Sequence, residues 1–347
     1  MESNLGKIDH EAFKSLIFGK TGSARSELFC GPAFGVDVSV VDLGDGRGLI
    51  SSSDPLSLIP SLGLEESAFL SVHLIANDVA TSGFAPQFGQ FVLNLPASMS
   101  RSDFSEYWHY IDRFCREIGM SISGGHTGFI PGLESTISGG GTFSAVAPLD
   151  EIKLSKNAKA GQTILVTKKA AMSATALLAM SFPQEVKRQL GQEVYVSAAS
   201  EFSRLSVLDE AQIARKTGVV SAMHNVTEGG ILGALYELAV ASNLGIEIQN
   251  EKLPIGQAQK EVCRLFDLDP RAVIGEGCML IATEAGKEQV VIDALQAHEI
   301  PCTAVGKITE KGKGLKLISE EQMYDLPYTE KDPYWAAYFG ALKRGWK

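Results

Sequence analysis

A mixed α/β (α+β) chain of two domains is predicted, and three observations carry it. Strand and helix patterns alternate through both halves, as layered sheets and helices require. The length, 347 residues, is about two domains' worth at roughly 150 residues each. A polar, lysine-bearing stretch from Pro148 to Gly161 separates the halves and sets domains over residues 1–150 and 151–347.

Phe34 to Leu43 and Arg47 to Ser53 alternate or run apolar around Leu43-Gly44-Asp45-Gly46 and read as two strands. Pro55 and Pro60 then interrupt regularity. Glu65 to Ser82 places Phe69, Val72, Ile75 and Val79 at helical spacing, and Gly83 with Pro86 stops it. Phe88 to Leu95 reads as a strand. Ser102 to Ile118 sets Phe104, Tyr107, Ile111, Phe114 and Ile118 on one helical face. A short strand to Ser123, a glycine loop and a strand ending near Val146 complete the first half.

In the second half, Thr163 to Thr167 is a strand, Ala171 to Met180 a small-residue helix, and Val194 to Thr217 one longer helix. Gly218 to Met223 is a strand, and Ile231 to Ser242 a helix that opens in the turn Thr227-Glu228-Gly229-Gly230. Ile246 to Gln249, Cys278 to Thr283 and Thr303 to Ile308 are strands, with a helix over Lys287 to His298. The aromatic-rich end, Tyr324 to Lys347, is expected to pack on the body.

Hydrophobic residues make up 45% and charged residues 21%, which excludes wholesale disorder. The net charge is −10 with no basic block, so the footprint of a nucleic-acid binder is missing. No apolar run approaches the ~20 residues of a membrane span, and Met1 to His10 lacks the pattern of a secretory leader. Cys30, Cys115, Cys263, Cys278 and Cys302 are scattered, with no C-x-x-C pair. They read as reduced, mostly buried thiols of a cytoplasmic protein rather than a zinc site. Glycine is the outlier: 35 residues, gathered in a few loops where a backbone can approach a ligand closely.

Four places can carry chemistry. Gly35-Val36-Asp37 opens a strand, and Ser51-Ser52-Ser53-Asp54-Pro55-Leu56 ends the next. Asn77-Asp78 lies in an otherwise apolar helix, where a carboxylate flanked by Ala76, Val79 and Ala80 is costly unless paired or ligated. Gly124-Gly125-His126-Thr127-Gly128 follows a strand and can offer backbone N–H groups and a hydroxyl to phosphate oxygens. Taken singly, each has a plain reading: a strand-end Asp is ordinarily a cap, and a glycine pair a tight turn. Two or three carboxylates with glycine loops in one domain suit Mg2+ carrying the phosphates of a nucleotide. The second half adds Met223-His224-Asn225-Val226-Thr227-Glu228-Gly229-Gly230-Ile231. It reads either as a helix start whose N–H groups suit an anion or as a capped start with Glu228 favourable to the dipole. His126 and His224 read as structural or substrate-polarising, since neither has a second His nearby. Walker A, kinase and G-x-S-x-G patterns do not occur in the sequence.

Taken in this order, Ser53-Asp54-Pro55, Ala76-Asn77-Asp78-Val79-Ala80-Thr81-Ser82-Gly83, Gly124-Gly125-His126-Thr127 and Met223 to Gly230 resemble the PurM-like (aminoimidazole ribonucleotide synthetase-like) superfamily. The run Gly233-Ala234-Leu235-Tyr236-Glu237-Leu238-Ala239 is most similar to its HypE-like branch. The resemblance implies a two-domain protomer with ATP and Mg2+ held between the domains, and a homodimer built on the N-terminal halves. It implies Asp37, Asp54 and Asp78 as Mg2+ ligands, with Asn77, Gly124, Gly125, His126 and Thr127 along the phosphates. Asn225, Thr227, Glu228, Gly229 and Gly230 would bind from the second domain, and Glu228 and His126 are the implied catalytic groups. The implied chemistry is ATP-dependent phosphorylation of an oxygen on an amide-type or other small substrate, or on a protein. The implied setting is hydrogenase or metallo-cofactor maturation, with a maturation protein as partner.

Two other readings stay open: a non-catalytic nucleotide-binding scaffold, and a phosphotransferase similar to thiamine-monophosphate kinase or selenophosphate synthetase. Three departures bear on the choice. Asn225 stands where relatives carry Asp. Lys168 to Thr175 stands where many have a glycine loop, and its Cβ atoms narrow an approach to phosphate. The chain ends Leu342-Lys343-Arg344-Gly345-Trp346-Lys347, without the terminal cysteine on which the HypE-like branch acts. An acceptor from outside is therefore expected, because neither an ammonium nor a guanidinium replaces a thiolate.

Overall fold

A computed structural model of the chain describes residue 8, residues 10–133 and residues 136–347. Met1 to Lys7 and Asp9, most of the stretch read above for a leader, lie outside the described residues. Two compact units emerge. One holds Arg25–Gly31 and Val38–Ile152; the other holds Pro32–Asp37 and Lys153–Lys347 together with the described residues up to Ala24. In the latter, α1 (His10–Ala12) runs into a π-helical turn over Phe13–Ile17.

Among its described residues the smaller unit is a six-stranded sheet. Its strands are β1 (Leu28–Cys30), β2 (Ser39–Asp42), β3 (Arg47–Ser57), β4 (Phe88–Pro96), β5 (Ser121–Ile130) and β6 (Ile137–Pro148), in the order β1-β2-β3-β6-β4-β5. All neighbours are antiparallel except the edge pair β4–β5. Two helices, α2 (Leu64–Ala80) and α3 (Arg101–Glu117), accompany it. In α3, Ser100 caps the start by accepting from the Asp103 N–H at 3.0 Å, and Arg116 favours the last turn. The buried stripe of α2 is Ala68, Val72, Ile75 and Val79, that of α3 Tyr107, Ile111 and Phe114. Full burial of one such aliphatic side chain stabilises by ~1.5–3 kcal/mol. The Tyr107 hydroxyl, taken out of water, donates to the Ser57 carbonyl at 2.7 Å. Along β4 the residues alternate: Phe91 and Leu93 are buried, whereas Phe88 and Val92 are exposed.

The larger unit carries β7 (Thr163–Thr167), α4 (Met172–Ser181), α5 (Pro183–Leu190), α6 (Gln192–Ser200), α7 (Leu208–Lys216), β8 (Val220–Asn225), α8 (Gly230–Ser242) and β9 (Gly245–Gln249). It continues with α9 (Gln257–Leu265), β10 (Met279–Thr283), α10 (Glu288–Gln296), β11 (Cys302–Thr309), β12 (Leu315–Ser319), β13 (Gln322–Asp325) and α11 (Tyr334–Lys343). Its strands, as described, pair in the order β13-β12-β9-β11-β7-β10-β8. The core packs Ile164 and Val166 of β7 and Leu280 of β10 with Ile231, Leu235 and Leu238 of α8. Near the end of the chain, Trp346 meets the rings of Phe182 and Phe266, as the aromatic end was expected to pack.

Four expectations need correction. The strand expected from Phe34 is β2 and begins at Ser39, so Gly35-Val36-Asp37 is a loop. Its chain is seated on α8 instead: a Cβ on Gly35 would lie 2.4 Å from the Glu237 carbonyl oxygen. Pro55 does not break β3, which runs on to Ser57; Pro55 is on the exposed face, and the ladder shifts register beyond it. The glycine loop at 124–128 is the middle of β5, paired in parallel with Gln90 to Asn94. Gly125 makes this possible, because at φ +146° any Cβ would strike the Phe91 carbonyl. Finally, Val194–Thr217 is not one helix. The Ser200 and Ser203 hydroxyls bond carbonyls three residues back, at 2.8 and 3.2 Å, and the chain turns through Phe202–Arg204 before α7.

Candidate nucleotide and magnesium site

In the smaller unit, residues two apart on β3 share a face. Ile50, Ser52 and Leu56 are buried there, so Asp54, on the same face, is directed to the helix side of the sheet. The Ser52 hydroxyl donates to Asp78 Oδ2 on α2 at 3.1 Å. That bond answers the cost foreseen for Asp78 and places the Asp54 and Asp78 carboxylates on one side of β3. Asn77, one residue earlier on α2, is fully buried. Gly124, Gly125, His126 and Thr127 lie on β5, the sheet edge, with His126 and Thr127 exposed. An edge strand leaves the N–H groups that do not face its neighbour pointing outward. Backbone donors are thus offered here by a strand rather than by a loop.

The larger unit builds its polar centre on His224 of β8. The imidazole is buried; Nδ1 lies 3.0 Å from Asp37 Oδ2 and Nε2 lies 3.0 Å from Glu237 Oε2. The Ser155 hydroxyl sits 3.1 Å from Nδ1 and donates to the Met223 carbonyl. The Asn225 N–H also donates to Asp37 Oδ2, at 3.3 Å. Burial alone would lower the basicity of His224. The charge and hydrogen bond of Asp37, joined by Glu237, outweigh it and push the imidazole up to about 10. Asp37, expected among the Mg2+ ligands, therefore belongs to the larger unit and to His224, while Asp54 and Asp78 belong to the smaller one.

The turn at the start of α8 differs from expectation. Gly229 and Gly230 both have positive φ, and a Cβ on Gly230 would collide with the carbonyls of Arg271 and Val273. Their N–H groups do not stand open for an anion: Gly229 donates to Asp332 Oδ2 at 2.7 Å, and Gly230 to the Thr227 carbonyl at 3.1 Å. Trp335 Nε1 reaches Glu228 Oε1 at 3.4 Å. Three carboxylates meet around this turn. Burial lifts Asp332 to about 6 against the pull of the Tyr334 and Gly229 N–H groups, with Glu228 adding to the rise. Burial lifts Glu276 to about 7 despite a short hydrogen bond from Ser173, again with Asp332 and Glu228 adding.

The loop that lacks its relatives' glycines keeps a glycine-like backbone, with Lys168 at φ 51° and Ala171 at φ 54°. Lys168 is held there by its own ammonium, which is buried, ion-paired with Glu210, and donates to the carbonyls of Arg204 and Ser206 at 2.8 and 2.7 Å. Hard carboxylate oxygens suit Mg2+, which takes one or two of them and completes its shell with water and phosphate. Among the described residues no three His, Cys, Asp or Glu groups close on one point, and Asp54 and Asp78 share one side of β3.

The residues that reasoning from sequence missed are Glu237, Glu276, Asp332 and the pairing role of His224. Glu237 carried a readable signal, a carboxylate among Tyr236, Leu238 and Ala239 on an apolar helix, the same warning given by Asp78.

Known proteins share this architecture. AIR synthase related protein, N-terminal domain, matches residues 35–143, and AIR synthase related protein, C-terminal domain, matches residues 159–317. Carbamoyl dehydratase HypE of Escherichia coli is 27% identical over 268 residues, covering 74% of this chain and 75% of that one. Selenide, water dikinase of Methanocaldococcus jannaschii is 27% identical over 222 residues, covering 60% of this chain and 62% of that one. The solved structure of hydrogenase maturation protein HypE in complex with ATP superposes with a TM-score of 0.68, covering 94% of each chain at 17% identity, a likeness of fold. The two matched domains take in most of the chain, with the β3–α2 carboxylates and Asp37 in one and His224, Glu237 and the glycine turn in the other. The chain belongs to the AIR synthase-related, PurM-like family and has its two-domain α/β fold.

Proposed function

We propose that this protein is an ATP-dependent enzyme of the HypE-like branch, which activates an oxygen of an amide-type or other small substrate by phosphorylation. The observation that carries the reading is the Asp54–Ser52–Asp78 arrangement, two hard carboxylates on one side of β3. Asp54 and Asp78 would hold Mg2+, which supplies charge neutralisation for the phosphates when bound. Asp37 would offer a further carboxylate oxygen to the Mg-nucleotide, and the outward N–H groups of Gly124 to Thr127 would receive phosphate oxygens. Asn77, Thr227 and Asn225 would line the nucleotide, and Glu228 and His126 would handle protons. The names borne by the relatives, a carbamoyl dehydratase and a selenide, water dikinase, support ATP chemistry on a small acceptor. A maturation protein is the macromolecular partner we propose, on the likeness to the solved complex of HypE with HypF. The setting we propose is cytoplasmic; no helix among the described residues is long and apolar enough to cross a membrane.

Calorimetric titration with Mg-ATP tests this. Asp54→Asn and Asp78→Asn should each weaken Mg-ATP by about tenfold or more, one lost charge-assisted metal contact, with thermal unfolding nearly unchanged. Unaltered affinity in both variants would refute the assignment. One observation favours a second reading, a nucleotide-binding partner without turnover: Asp332 holds the Gly229 N–H that a substrate anion would need. Mg-ATP binding without phosphate release, across candidate amide and thiocarboxamide substrates, would select it.

We also propose a homodimer formed through the open face of the smaller unit's sheet, where Phe88, Val92 and Ile137 are 46%, 44% and 39% exposed. A second copy of the same face would cover them. Light scattering at tens of micromolar should give twice the chain mass, and Val92→Asp should halve it. A wild-type monomer under those conditions ends the proposal.

A further inference from the structure

We propose that His224, braced by Glu237, is a positioning residue that orients the Asp37 carboxylate toward a Mg2+ ion; this rests on the ATP-dependent reading above. Asp37 sits on a loop, not a strand, so no ladder holds its side chain. Two donors of β8, His224 Nδ1 at 3.0 Å and the Asn225 N–H at 3.3 Å, converge on the same oxygen, Oδ2. The carboxylate is thereby fixed in rotation, and Oδ1 is the oxygen left to meet a cation. The imidazole is in turn fixed by Glu237 Oε2 at 3.0 Å from Nε2. Both ring nitrogens face carboxylate oxygens, so the ring is a rigid link between the two side chains.

The surrounding chain is built to the same end. Gly35, two residues before Asp37, lies against the backbone of Glu237 so closely that no side chain fits. Phe34 meets Tyr236, the residue before Glu237, edge to face at 6.2 Å. One turn of α8 therefore seats the loop by its backbone, by an aromatic contact and, through His224, by the carboxylate itself. Hydrogen-bonded carboxylates and histidines behind a metal ligand commonly hold its geometry, and their loss costs 10–100-fold in metal affinity. Asn225 now has a place as well: its backbone N–H serves Asp37 whatever its side chain.

The test uses the full chain with the double substitution His224→Gln and Glu237→Gln. It removes one positive and one negative charge, so the net charge of the trio with Asp37 is kept while the rigid link is lost. Calorimetry should show Mg-ATP affinity reduced by about 10–100-fold, with the affinity for ATP in EDTA unchanged. The electron paramagnetic resonance signal of Mn-ATP bound to the protein should broaden as the ligand loses its fixed orientation. If the double variant fails to fold, Glu237→Gln alone keeps the His224–Asp37 bond and should lose severalfold in Mg-ATP affinity only. Equal losses with and without metal would mean a merely structural role and overturn the proposal. So would wild-type Mg-ATP affinity in both variants, which would leave the broader functional reading standing. Absence of any Mg-ATP binding by the wild type would overturn both.

Discussion

Replacing His224 with Ala should destabilise the larger unit by about 3–5 kcal/mol, the usual cost of removing one partner from a buried ion pair. The imidazole is 1% exposed and answers two carboxylates, so the variant strands Asp37 and Glu237 together without their cation. The Gln pair described above avoids this by removing one charge of each sign. His73 shows what burial does without such partners: on α2, with its ring tilted against that of Phe69, it is pushed down to about 4 and stays neutral. His224 goes the other way because opposite charge at hydrogen-bond distance outweighs desolvation. The sign for stability follows. With its folded value raised from 6.5 to about 10, the native state keeps a proton that the unfolded chain releases. The contribution is complete below about pH 6.5 and is lost as pH rises through about 10. Urea unfolding between pH 6 and 10 checks this: the wild type should weaken across the window, and the alanine variant should lack that limb. A variant as stable as the wild type at pH 6 would show that the trio contributes nothing.

Glu276→Gln should do the opposite and stabilise the protein at alkaline pH. Glu276 is raised from 4.5 to about 7, chiefly by burial and further by Asp332 and Glu228. Between those values the native state binds a proton that the unfolded state has lost, so stability falls as pH rises through the window. Above pH 8 the charge has been forced into place, at a cost on the order of 3 kcal/mol from a shift of that size. Glutamine retains an acceptor for the Ser173 hydroxyl and cannot ionise. The variant should match the wild type near pH 4.5 and exceed it by a few kcal/mol, on the same basis, at pH 8. Thermal unfolding at the two pH values measures this, and an equal difference at both would show that Glu276 does not titrate as described.

What local pattern could reveal was revealed. The helical spacing of Val72, Ile75 and Val79 and of Tyr107, Ile111 and Phe114 marked α2 and α3, because side-chain period depends only on near neighbours. Thr163–Thr167 was legible as β7 for the same reason. The Val194–Thr217 segment was not, since hydroxyls that bond their own backbone leave the apolar spacing intact while ending the helix.

Residue type and order by themselves determined the family and the two-domain α/β class, and made Asp78 conspicuous as a carboxylate among Ala76, Val79 and Ala80. Tertiary structure alone decided that the 124–128 glycines form an edge strand, since a glycine pair signals a turn until a neighbouring strand occupies the space a Cβ would need. It alone brought Asp332 to the Gly229 N–H, 103 residues away, and Asp37 to His224 across 187 residues. Such pairs leave no periodicity behind them. The carboxylate and its partner are set by how loops and helices pack, and burial turns that contact into charge, proton affinity and orientation.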